Sequence, residues 1–514
     1  MSKSFFRKAV IGAIILSGLV FAAGLNAHWR FQRDGALYLD LARSLVEGRG
    51  YVHNYQPHGK AAPGLPLMLA GVESVTSVPE TLDSNFFYLN LMESVFGLGC
   101  VLVACLIMKK LGLKPVQFLA VLLLFALSRT LHYYSSHIIT DVPFTFFALL
   151  ALYLGLHMHS GSGSTSWGWC AGAAVPVALA SALRPIGPFL VFSLLLGLWM
   201  KRGALQEWKT NLQKSTFMLL LVAVPVGSWA GWTYLLAPED ARASYFRGLL
   251  RSFPQRMQQG FMSPFTKYAE HASGISDAVC GSELGTRVGS VLILFMVLGL
   301  VEAVRRREVV LSSYAFVSFY IIMAGGWALD RRYLLPMLPI MLIWAAWGAR
   351  RLGHVLRTWT DFWNKHRVRK AGLVCLGLLL AVNVLRIGKL VYQNRHPRFY
   401  QVEDNALLSD YDGIVRWLRR NAAPQDTVAG YEHRLVHYFS RVRTHHLPDA
   451  ARNWNLDRVK KQIRRHNIHY IVEDERQPGS TAFMEDLQKA EGIAAERVKT
   501  DGRVRLVRIQ LPDD

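Results

Sequence analysis

Val10-Ile-Gly-Ala-Ile-Ile-Leu-Ser-Gly-Leu-Val-Phe-Ala-Ala-Gly-Leu25 contains no charged residue, and Asp34-Gly-Ala-Leu-Tyr-Leu-Asp-Leu-Ala-Arg-Ser-Leu45 follows closely behind it. The first stretch reads as a membrane span and the second as a short helix beside it. About 18 or more apolar residues suffice to cross a bilayer as a helix. Comparable blocks recur at Leu89–Met108, at Val116–Leu127 and onward to Leu390, after which they stop. The 514 residues therefore divide into a membrane-embedded body and a polar tail. The expected fold class is a polytopic α-helical membrane protein of about eleven spanning helices with a small C-terminal α/β domain.

The chain carries a net charge of +22. Lys and Arg lie in short clusters between the apolar blocks: Lys3, Arg7 and Lys8; Lys109, Lys110 and Lys114; Lys201, Arg202 and Lys209; Arg305 to Arg307; and Arg350 through Lys370. That placement is what the positive-inside rule asks of cytoplasmic loops, and it argues for contact with anionic lipid rather than nucleic acid. Of the five cysteines, Cys100, Cys105, Cys170 and Cys375 fall in or beside apolar segments and only Cys280 lies in a long polar loop. No disulfide framework or metal-ligand spacing can be built from them. The N-terminus reads as a retained first helix, because its apolar run is not followed by a small-residue cleavage site that leads into a soluble domain.

With the N-terminus in the cytoplasm, the expected spans are 9–26, 85–108, 115–133, 142–158, 168–183, 186–200, 215–236, 288–304, 309–326, 333–349 and 371–391. The loops at 27–84, 134–141, 184–185, 237–287 and 327–332 then face outward, as does the tail, 392–514. Two domains follow: 1–391 in the membrane and 392–514 on the far side. No N-x-[ST] sequon occurs, which favours a bacterial inner membrane. Within 27–84, Leu37, Leu41 and Leu45 recur every four residues and form the apolar stripe of a helix lying on the membrane surface. Gly48 and Gly50 end it, and a second apolar segment, Leu65–Val75, follows Pro63-Gly64. In the tail, Tyr411, Ile414, Val415 and Leu418 make one helical stripe, and Leu456, Val459 and Ile463 another. Ile468–Val472 reads as a strand and Arg497–Leu511 as a hairpin turning at Asp501-Gly502.

The residues able to carry chemistry gather at the outward ends of the spans. Asp34 follows the first span directly, where a carboxylate is desolvated enough to act as a general base toward a hydroxyl. Asp141, in His137-Ile-Ile-Thr-Asp141-Val-Pro143, sits at the same depth. Both acids also read as helix N-caps, and the two roles are compatible. Cations accompany them: Lys60, Arg129, Arg184, Arg331 and Arg332. Snorkelling to lipid headgroups accounts for each singly, whereas together they offer a phosphate-binding set. Tyr38, His53, His58, Arg129 and Tyr333 are further candidates for substrate contact. His433 and His437 lie four apart, with His445-His446 beyond, but no acidic third ligand or HExxH pattern accompanies them. They are expected on a solvated surface. No Walker loop, dinucleotide fingerprint or nucleophile elbow occurs.

These motifs resemble those of the GT-C glycosyltransferases, in particular bacterial relatives of protein O-mannosyltransferases and of the enzyme that adds aminoarabinose to lipid A. The matching residues are Asp34-x3-Tyr38-x3-Ala42-x5-Gly48-x-Gly50, Lys60-x2-Pro63-Gly64-x-Pro66, Asp141-x-Pro143, Arg184-Pro185 and Arg332-Tyr333-Leu334-Leu335-Pro336. They run in order over roughly the first 350 residues. The resemblance implies a polyprenyl-phosphate-linked sugar donor, an extracytoplasmic acceptor, inversion at the anomeric carbon, and Asp34 as catalytic base. It implies Asp141 as the second acid, placing the acceptor or a divalent cation, and Lys60, Arg184, Arg331 and Arg332 on the donor phosphate. Where family members commonly have Asp-Glu this chain has Asp34-Gly35, and where they have Pro-Pro it has Ala62-Pro63. Two rival readings are a lipid or polysaccharide flippase, which would set ionisable groups near the midplane, and an O-antigen-ligase-like polysaccharide transferase. The second would lean on Arg242, Arg247, Arg251, Arg256 and His271.

Overall fold

The computed structural model describes residues 2–30, 32–59, 61–81, 84–159, 166–200, 207–236, 268–279, 285–306, 308–324, 331–359, 365–395, 409–446, 456–475, 480–489 and 493–510. Among the described residues, 8 helices are long and apolar enough to cross a membrane. Three further helices, Trp167–Leu183, Leu190–Trp199 and Val309–Ala324, are apolar but shorter than 18 residues. Each of the eleven expected spans falls on one of these helices. Boundaries differ where local chemistry intervenes. The 115–133 span is broken at Leu127: one helix covers Pro115–Ala126, Ser128 caps a second with its hydroxyl on the Leu131 N–H, and that helix covers Arg129–Tyr134.

Two helices lie between the first span, α1 (Lys3–Gly24), and the next, Phe87–Lys110. The earlier, α2 (Arg33–Val46), ends in a Schellman motif. The Gly48 N–H bonds the Leu45 carbonyl at 3.1 Å and the Arg49 N–H bonds that of Ser44 at 2.9 Å, with Gly48 at φ +73°. That conformation favours glycine. The later helix, α3 (Gly64–Val75), packs against α2. A two-strand hairpin, β1 (Val52–His53) with β2 (Gln56–Pro57), joins them.

The expectation that α2 lies on the membrane surface does not hold. Leu37 and Leu41 pack with Tyr51 and Ala61, while Ala36, Leu39 and Ala42 join the main core. Asp40, Arg43 and Ser44 are buried as well. A helix covered on nearly every face sits between protein layers, not at a lipid boundary.

The layer above it is the C-terminal part. A five-stranded sheet has the order β4-β3-β5-β7-β6, with β3 (Thr427–Gly430), β4 (Arg443–His446), β5 (Ile468–Asp474), β6 (Ala494–Asp501) and β7 (Val504–Gln510). β3 pairs in parallel with β4 and β5; β5–β7 and β6–β7 are antiparallel. One sheet face buries Ile463, Phe483 and Leu487 in a core of its own. Tyr411, Leu418, Leu435, Tyr438 and Phe439 instead join the apolar core that is continuous with the helix bundle. The helix His433–Ser440 makes the junction. Trp29 is stacked on Phe86 with ring centres 5.7 Å apart and meets Phe439 at 5.6 Å. Arg43 crosses the same boundary, donating to the carbonyls of Tyr438 and Pro79, each at 2.5 Å.

Candidate active site at one end of the bundle

Asp34, Asp141, Arg184 and Arg332 lie where α2 begins, where helix Asp141–His159 begins, where Trp167–Leu183 ends, and just before Leu338–Trp359. The fold brings all four to one cavity of about 400 Å³, and Tyr38 and Tyr333 line it with them. Of the basic clusters, Arg350 and Arg351 lie on Leu338–Trp359, in its second half and away from Arg332, while Lys3–Lys8 begins α1 and Lys109–Lys110 ends Phe87–Lys110.

Two glycines allow this convergence. A Cβ on Gly35 would stand 2.8 Å from the Ile138 carbonyl oxygen, so only glycine lets α2 rest against the segment that leads into Asp141. A Cβ on Gly64 would stand 2.6 Å from the Ala182 carbonyl oxygen, beside Arg184. Neither acid caps its helix in the way the sequence suggested. Gln32 is the N-cap of α2, which puts Asp34 in the first turn, and Asp141 is the first residue of its own helix. In the first turn a carboxylate still benefits from the helix dipole, and its side chain stays available to the cavity.

The two acids have different surroundings. Asp141 is buried at 2% exposure and pairs with Arg184 at 2.9 Å. Arg184 also donates to the Thr140 hydroxyl at 3.2 Å, and its guanidinium lies 5.2 Å from the Tyr333 ring centre. Asp34 is 48% exposed. Arg434 donates to its Oδ1 at 2.8 Å, and Arg332 stands 3.8 Å from its Oδ2 while donating to the Tyr333 hydroxyl at 2.7 Å. Tyr38 lines the same cavity, and burial, reinforced by the Asp34 carboxylate, raises its hydroxyl above the usual range. The site thus holds one accessible carboxylate, one buried carboxylate that fixes an arginine, and three guanidinium groups.

Arg434 was not among the sequence candidates. It comes from helix His433–Ser440, 400 positions after Asp34. Its signal was the apolar face of that helix, Leu435, Val436, Tyr438 and Phe439, too large for a solvated surface. His53, His58 and Arg129 are not part of the cavity lining. His53 turns to Asp40, the His58 ring accepts from the Ala61 N–H, and Arg129 lies over the Tyr133 ring. Lys60, the Arg331 side chain and the loop arginines Arg242, Arg247, Arg251 and Arg256 lie outside the described residues. His437 is not solvated: it is buried at 4% exposure, and its acidic neighbour is Asp40. Asp40, His53 and His437 form a group compatible with a divalent cation.

Residues 51–236 match the family model described as "Dolichyl-phosphate-mannose-protein mannosyltransferase". No curated protein matches the chain in sequence. Among solved structures, apo ArnT from Cupriavidus metallidurans superimposes with a TM-score of 0.56 at 13% identity, covering 97% of both chains. The same protein bound to undecaprenyl phosphate superimposes equally, at 0.56 and 12% identity over 97% of each chain. AglB from Archaeoglobus fulgidus, solved with an inhibitory peptide and a dolichol-phosphate, gives a TM-score of 0.58 at 12% identity, covering 90% of this chain and 69% of that one. The fold is that of the GT-C glycosyltransferases.

Proposed function

Proceeding from the GT-C fold, we propose that this chain is a multi-pass membrane glycosyltransferase. It moves a sugar from a polyprenyl-phosphate donor to a hydroxyl-bearing acceptor on the non-cytoplasmic side, with inversion. One observation carries the reading: a single solvent-open carboxylate, Asp34, shares a cavity with Arg184, Arg332 and Arg434.

Each group has a task. The Asp34 carboxylate accepts the proton of the acceptor hydroxyl as that oxygen bonds the anomeric carbon from the face opposite the phosphate. The bond from the anomeric carbon to the phosphate oxygen breaks, and its electron pair leaves on the polyprenyl phosphate. The guanidinium groups neutralise the charge that develops there. Asp141, buried behind Arg184, serves as the group that aims that arginine. Both rim acids are already paired with arginine, so the donor set between them does not suit a divalent cation. Lys60, adjacent to the lining residue Ala61, belongs to the phosphate set in this reading, as does Arg331, next to Arg332.

Mass analysis of cell-envelope lipids, glycans and proteins from cells producing the wild type or Asp34→Asn tests the proposal, together with purified protein in vesicles supplied with a labelled polyprenyl-phosphate sugar. The expected result is an acceptor that gains the mass of one sugar only with the wild type. Movement of the labelled lipid across the vesicle without covalent transfer would contradict it and favour a flippase.

A further inference from the structure

Six residues after Asp34 on the same helix, Asp40 is buried and receives two imidazoles on one oxygen, His53 Nδ1 at 2.7 Å and His437 Nε2 at 3.3 Å. The three residues come from α2, the β1–β2 hairpin and the C-terminal helix His433–Ser440, and their ligand atoms all lie within 4.8 Å of one another. None of them lines the cavity.

The hydrogen bonding is what singles the group out. His437 Nδ1 lies 2.8 Å from the Val442 carbonyl oxygen. A carbonyl can only accept, so Nδ1 holds the proton and donates it. Nε2 of the neutral ring then presents its lone pair to a carboxylate oxygen. In a buried site two lone pairs facing each other repel unless a cation joins them, either a proton or a metal ion. Fixing the remote ring nitrogen on a backbone carbonyl is also how metal-binding histidines are oriented. Two imidazole nitrogens and one carboxylate oxygen suit Zn²⁺, and bonds of about 2.0–2.1 Å in a tetrahedron set ligand atoms about 3.3–3.4 Å apart. The Asp40–His437 spacing already meets that separation, the Asp40–His53 pair opens by about 0.6 Å to reach it, and the two histidine nitrogens, within 4.8 Å of each other, close around the ion.

We propose that Asp40, His53 and His437 form a Zn²⁺ site that clamps the C-terminal domain onto the first loop and so holds Arg434 beside Asp34. A water completes the tetrahedron. The coupling is built into the two helices: Asp34 and Asp40 share α2, and Arg434 and His437 share one turn of His433–Ser440. The metal lies apart from the reacting groups, so the test does not depend on the transferase reading.

Full-length protein, purified in detergent and stripped with chelator, is titrated with CoCl₂ and then ZnCl₂. The expected result is saturation at one ion per chain, with the visible absorption of four-coordinate Co²⁺, displaced by Zn²⁺ and not by Mg²⁺ or Ca²⁺. Zn²⁺ also raises the thermal midpoint. In His53→Ala and Asp40→Asn the dissociation constant rises by about a hundredfold or more, and the midpoint no longer responds. The Co²⁺ spectrum of the wild type needs no variant, so it decides the matter even if a substitution impairs folding. A wild-type spectrum unchanged from that of aqueous Co²⁺, or equal stabilisation of His53→Ala and wild type by Zn²⁺, would overturn the site.

Discussion

Arg434 and Asp34 are joined by a 2.8 Å charge-assisted bond. One comes from the start of the chain and the other from its last hundred residues. If Arg434 helps to neutralise the departing phosphate and also steadies the base, its removal should slow transfer while the protein still folds. A lost hydrogen bond to a charged group is worth about 1.5–3 kcal/mol, so Arg434→Ala is expected to lower kcat by roughly ten- to a hundredfold. Steady-state transfer assays check this, and a kcat unchanged from wild type would remove Arg434 from the mechanism. Asp34, Asp141, Arg184 and Arg332 were legible in the sequence because each follows or precedes an apolar block, where topology alone asks for no such charge. Arg434 and the Asp40–His53–His437 group were not. Their partners lie hundreds of positions apart, and no local spacing announces a contact that only the docked tail creates.

α2 carries Asp34 toward the cavity and Asp40 toward the tail, and its position depends on how closely it approaches Ile138. Gly35→Ala would place a methyl 2.8 Å from a backbone carbonyl that cannot turn aside, so the helix must shift. Misplacing a catalytic group by about 1 Å costs about a hundredfold in rate. Turnover of Gly35→Ala is therefore expected to fall by roughly ten- to a hundredfold with expression retained, and wild-type turnover would show that the close approach is dispensable. The same contact gives a physical reason for glycine at a position where resembling sequences commonly carry glutamate. The helical stripe at Leu37, Leu41 and Leu45 was readable from its period. What the period left out was a second covering layer: the polar side of α2 looked solvated, yet Asp40, Arg43 and Ser44 are buried against the tail and its approach. The tail's own helices and its hairpin were legible for the usual reason, because alternation and helical stripes persist in any half-buried element.

The bundle and the C-terminal sheet behave as one packed body along this boundary, and its stability should carry the signature of a buried acid. Glu73 on α3 is buried without a hydrogen-bond partner among the described residues, and burial, offset in part by Arg43, pushes its carboxyl up to about 8. A carboxyl raised in the fold is protonated there. The stability it contributes is complete below its ordinary range near 4.5 and is lost as pH rises through about 8. The thermal midpoint in detergent should thus decline by several degrees between pH 6 and pH 9, and Glu73→Gln should flatten that decline. An identical slope in the variant would assign the pH dependence elsewhere. The apolar blocks made the membrane body readable from sequence alone. The way the tail closes over the loop was hidden, because it rests on side chains such as Trp29, Arg43 and Tyr438 that carry no periodic pattern.

The most direct test is a single-turnover measurement on Asp34→Asn with a labelled polyprenyl-phosphate sugar, reading donor binding and transfer separately. Binding should stay within a few-fold of wild type, since the arginines that hold the phosphate remain. Transfer should fall by about 10²–10⁴, the usual cost of losing a general base. Transfer at a near-normal rate would show that Asp34 takes no proton and that the chemistry lies elsewhere.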